Sequence, residues 1–163
     1  GFVDAASGIK SAPVTLGQVR IEQRRASFDR RTPSRLLPAP AQFGTHALLY
    51  GYDMDETADG DTLIRLYWEV LQPLLPPHHI FVHADDAGGA TLAQQDGPPV
   101  TVTGPAPSGS WQPGEFLVTE HRLRVPPEAT VNVGIYEPAG TVRLPVTVDG
   151  QPAGDSVRLT AAE

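Results

Sequence analysis

The stretch Thr62–Val70, TLIRLYWEV, constrains the fold of this chain more than any other part of it. Ile64, Leu66, Trp68 and Val70 fall on one face, and Leu63, Arg65, Tyr67 and Glu69 on the other. Successive side chains of an extended backbone point to opposite faces, so a period of two marks a half-buried strand. RLRV and TVNVGIY repeat the theme, and Val131, Val133 and Ile135 make a second apolar face. Strands are expected over residues 43–52, 62–70, 79–84, 91–95, 116–125, 130–136, 142–148 and 156–160. Turn chemistry separates them at Asp59-Gly60, Gly88-Gly89, Asp96-Gly97-Pro98-Pro99, Pro113-Gly114, Pro126-Pro127 and Asp149-Gly150. The nearest helical rival, TLIRLYWEVLQPLL, runs into Pro73, Pro76 and Pro77, which oppose its continuation. Short strands at this spacing predict an all-β fold, an antiparallel β-sandwich of immunoglobulin-like or jelly-roll type.

At 163 residues one domain is expected. The 17 prolines and 16 glycines are spread between apolar runs, which points to many turns and not to disorder. The chain has no cysteine, which excludes disulfides, a thiol nucleophile and a thiolate metal centre. No apolar run approaches the roughly 20 residues of a membrane helix. The net charge of −7 is unevenly placed, with a basic N-terminal part and an acidic remainder. Such a body repels phosphate backbones, so nucleic acid is not an expected partner.

The expected organisation is an N-terminal extension over residues 1–42 and a β-sandwich over residues 43–163. Within the extension, residues 14–22 (VTLGQVRIE) are a candidate edge strand. RIEQRRASFDRRTPSR, with arginines from Arg20 to Arg35, reads as a solvated linker, the alternative being a patch for acidic lipid headgroups or an anionic polymer. Residues 36–42, LLPAPAQ, read as a stiff linker.

GYDMDETADGDT concentrates Asp53, Asp55, Asp59 and Asp61 between two strands. An EF-hand begun at Asp55 would need a bidentate glutamate where Leu66 stands, so that reading fails. The expectation is a solvated connection with no cofactor. A calcium site of another kind, built from these four aspartates, is the alternative. A carboxylate pair for glycoside hydrolysis is a further one, although an exposed loop lacks the burial that splits two pKa values. His79 and His83 lie on one strand face with Phe81 between them, about 13 Å apart along the strand and too far to close on one ion unaided. No G-x-S-x-G elbow, G-x-G-x-x-G or P-loop occurs. Among the aromatics, Trp111 in a proline-flanked loop and Tyr67 on the face opposite Trp68 are the candidates for stacking on a sugar. The alternative for Trp111 is a lid over one end of the core.

The "LYW" strand, the "FVH" strand with its D-x-G-G-type turn, QQDGPP, WQPGE and VGIYEPAG together resemble a known module. It is the soluble β-rich module at the C-terminal end of bacterial membrane glycosyltransferases of the dolichyl-phosphate-mannose mannosyltransferase-like group, and of related exported proteins. The similarity covers about residues 43–140. It implies an extracytoplasmic, non-catalytic accessory domain with a glycan or a membrane enzyme as partner. It brings no active-site or ligand residues, because in that group the chemistry belongs to the membrane-embedded portion. A carbohydrate-active hydrolase and a calcium-stabilised adhesion-type module are the alternative functions.

Overall fold

The computed structural model describes residues 24–160, and the strand expected over 14–22 lies outside them. The strands are β1 (Arg35–Phe43), β2 (Ala47–Glu56), β3 (Thr62–Val70), β4 (His79–Asp85), β5 (Thr91–Gly97), β6 (Val100–Thr101), β7 (Gly104–Pro105), β8 (Phe116–Leu123), β9 (Thr130–Glu137), β10 (Val142–Arg143), β11 (Val146–Val148), β12 (Gln151–Pro152) and β13 (Val157–Leu159). They form two antiparallel sheets. The larger has the order β12-β11-β1-β2-β3-β8-β6-β7 and the smaller β10-β9-β4-β5, with β13 also on β9. The fold is an all-β, antiparallel sandwich. No helix long and apolar enough to cross a membrane occurs among the described residues.

The alternation in β3 is realised: Ile64, Leu66, Trp68 and Val70 are buried between the sheets, facing Val131, Val133 and Ile135 of β9. Trp68 meets Phe43 edge-on at 5.3 Å. Two expected elements divide. The run 43–52 breaks at a turn after Phe43, and the run 142–148 breaks at Leu144-Pro145. There the chain changes sheets, since β10 pairs with β9 and β11 with β1.

The boundary expected at residues 42/43 falls inside β1, so it is not a domain boundary in the fold. Residues 36–42 are not a linker but part of a strand held between β2 and β11. Pro38 and Pro40 are tolerated because the β1–β2 register shifts between Leu36 and Ala41, where ladder donors are not required.

Residues 24–34 are likewise not a solvated linker. They form a strap across the outer face of the larger sheet. Ser27 accepts a hydrogen bond from the Phe116 N–H (2.8 Å), the Tyr50 hydroxyl donates to the Arg31 carbonyl (2.9 Å), and Arg30 lies 4.4 Å over the Tyr50 ring. Glycine is required at Gly51, where a Cβ would lie 2.3 Å from Pro33 Cγ and 2.6 Å from the Arg35 carbonyl oxygen.

One polar chain crosses the core. The Trp68 indole donates to Thr119 Oγ1 (2.9 Å), Thr119 bonds His121 Nε2 (2.9 Å), and His121 Nδ1 bonds Gln95 Oε1 (2.6 Å). The indole can only donate, so a consistent chain has Thr119 donating to Nε2 and Nδ1–H donating to Gln95. His121 is therefore neutral, and burial lowers its pKa from 6.5 to about 4. Below pH 6.5 the unfolded chain takes up this proton more readily than the folded one. Stability from this group is complete above that pH and is lost as pH falls toward 4. Between pH 7 and 5 the loss is expected to be about 2 kcal/mol. Urea unfolding at both pH values measures it, and His121→Gln is expected to flatten the dependence.

Candidate functional site

The residues expected to stack on a ligand are enclosed. Trp111 is 2% exposed; its ring centroid lies 6.4 Å from that of Trp68, and its indole N–H donates to the Ala106 carbonyl (2.8 Å). It closes the core and offers no free ring face. Tyr67 is 7% exposed because the strap covers the outer face of β3. Its hydroxyl donates to Asp53 Oδ2 (2.6 Å), and burial together with that carboxylate pushes its pKa up to about 12.

The four aspartates do not converge. Asp53 turns to the strap, accepting from the Ser34 N–H (2.6 Å) as well as from Tyr67. Burial opposes its charge, but these hydrogen bonds and Arg65 outweigh it and hold its pKa below the ordinary value. Asp55 pairs with Arg65 at 2.9 Å, Asp59 with Arg122, and Asp61 with Arg122 at 3.1 Å and Arg124 at 3.4 Å. The Thr57 hydroxyl first, then a backbone hydrogen bond and more weakly Arg122, lower the Asp59 pKa. Among the described residues no group of three or more metal-ligating side chains comes together. Exposed pairs of this kind are screened by solvent and contribute little stability.

The cleft that does gather chemistry lies on the outer face of the smaller sheet. Alternation in β4 sends Ile80, Val82 and Ala84 inward and His79, Phe81 and His83 outward. Register then supplies their neighbours. His79 pairs with Tyr136, which pairs with Arg143; Phe81 stands between Gly134 and Asp96. Gly134 carries no Cβ, and one placed there would lie 2.2 Å from the Phe81 ring. The ring therefore lies flat against β9. Arg143 lies 4.3 Å over it, leaving Phe81 only 2% exposed. Tyr136 is edge-on to His79 at 5.6 Å and 6.2 Å from Phe81. His83 Nε2 meets Asp96 Oδ1 at 2.9 Å. The Tyr136 pKa is raised, first by burial and then by the Asp96 charge.

Phe81, His83, Asp96, Tyr136, Thr141 and Arg143 line this cleft of about 450 Å3. It combines a half-buried phenol ring with an imidazole–carboxylate pair, a guanidinium and a hydroxyl. Such a set can place a ring face against C–H groups and direct planar polar groups at neighbouring hydroxyls. The shared face of His79, Phe81 and His83 was readable from alternation. Asp96, Tyr136 and Arg143 were not, because strand register brings them in, and Thr141 comes from the turn that joins β9 to β10. No family model, no curated protein and no solved structure matches this chain.

Proposed function

We propose that this chain is a non-catalytic interaction module that binds a glycan on the outer face of its smaller sheet, as part of an extracytoplasmic envelope glycosylation system. The observation that carries the reading is Tyr136 beside the His83–Asp96 pair, within one open cleft with Arg143. A pyranose needs an apolar platform and, around it, donors and acceptors fixed at the spacing of its hydroxyls. Tyr136 is the platform, held by His79 and Phe81. Asp96, oriented by His83, accepts from sugar hydroxyls, and Arg143 donates. The resemblance to the envelope glycosyltransferase module supplies the setting and the class of partner.

Screening against bacterial oligosaccharides followed by calorimetry tests this. Tyr136→Ala and Asp96→Ala are each expected to lose at least tenfold in affinity, about 1.4 kcal/mol, while remaining folded. Binding unchanged in both variants would sink the proposal.

A further inference from the structure

A second cleft lies on the other sheet, between the strap and the β6–β7 hairpin, and Arg25, Arg31, Ser27, Thr101, Thr103 and Val118 are among its walls. We infer that it is an oxyanion site that takes a phosphate or carboxylate group between the guanidinium groups of Arg25 and Arg31. The inference is independent of the glycan cleft.

Charge is the first argument. The one carboxylate in the cleft wall, Glu115, is fully buried and already engaged. Arg24 holds both its oxygens, and the Gln112 N–H donates to Oε2 at 3.0 Å. Arg25 and Arg31 form no ion pair among the described residues, whereas Arg65, Arg122, Arg124 and Arg143 all do. Residues 24–35 carry five arginines and one aspartate, while residues 36–163 carry five arginines and sixteen carboxylates. An anion repelled by the rest of the surface finds two guanidinium groups here that are unpaired among the described residues, and guanidinium groups match carboxylate and phosphate geometry.

Preorganisation is the second argument. The backbone is pinned at Ser27 by Phe116 and at Arg31 by Tyr50, so both arginines project from fixed points. Thr101 and Thr103 in the facing hairpin are tied to each other at 3.0 Å, with Thr101 Oγ1 also 3.1 Å from the Gly104 carbonyl, so the pair is held in place and offers at most one free hydroxyl donor. Val118 and the exposed Val102 give the cleft an apolar side, which suits an anionic group carried on a larger body.

The test is an amide chemical-shift titration of the full chain with inorganic phosphate and with trigalacturonate. Sedimentation with phosphatidylcholine vesicles, with and without phosphatidylglycerol, runs alongside. Saturable shifts at Ser27, Thr101 and Thr103 are expected. The double variant Arg25→Gln/Arg31→Gln should weaken them at least tenfold, and the surface control Arg122→Gln should leave them unchanged. A response to phosphate or to anionic vesicles assigns the group as phosphate, free or on a lipid headgroup, and a response to trigalacturonate alone assigns a carboxylate. No response to any probe, or binding that survives the double variant, overturns the inference.

Discussion

Arg24→Ala is expected to destabilise the protein by about 3–5 kcal/mol, because removing one partner strands a buried charge. Glu115 is 0% exposed and relies on Arg24, which bonds both of its oxygens and also donates to the Ser110 carbonyl at 2.9 Å. Without the guanidinium, only the Gln112 N–H remains to the carboxylate. The strap loses its first anchor at the same time, so trypsin is expected to cleave faster at Arg25, Arg30 and Arg31. Adding Glu115→Gln should recover part of the stability, since a buried amide needs no counter-charge. Urea denaturation measures both. A loss below about 1 kcal/mol, the size of an exposed pair, would mean that the strap is not held as described.

Trp111→Ala is expected to cost a further about 3–5 kcal/mol, the usual range for emptying a buried tryptophan site. At a few degrees per kcal/mol this lowers the melting temperature by roughly 10 °C. The ring packs near Trp68 and its N–H satisfies the Ala106 carbonyl, so truncation opens a void and orphans an acceptor. Trp111→Phe keeps most of the packing and should cost less, with the lost hydrogen bond contributing about 1–3 kcal/mol. Lost glycan binding in Trp111→Ala would therefore report unfolding, not a missing ligand contact. A calorimetric scan separates the two, and an unchanged melting temperature would contradict the burial assigned to this ring.

Elements whose burial follows from local alternation were legible in the sequence. The two faces of β3 and of β9 are the clear cases, and with them the all-β sandwich. What failed to show depended on long-range register or on cover from another segment. Pro38 and Pro40 made β1 look like a linker, because the irregular pairing that accommodates them is set by β2. Tyr67 sits on the expected outer face, yet the strap that encloses it was legible only as a run of arginines. The acidic loop displayed its carboxylates but not their partners, since Arg65 comes from β3 and Arg122 from β8. Asp96 read as part of a turn, and pairing with Phe81 is what puts it beside His83. Glu115 and His121 carried no local signal, because what singles them out is burial.

A glycan bound as proposed on the smaller sheet's outer face would contact the residues that line its cleft. The most direct measurement is an amide shift map recorded with neutral and acidic hexose and N-acetylhexosamine tri- to hexasaccharides. Saturable shifts clustered at His83, Asp96, Tyr136, Thr141 and Arg143 are expected, absent in Tyr136→Ala. No shift with any oligosaccharide, or shifts confined to the larger sheet, would contradict the proposal.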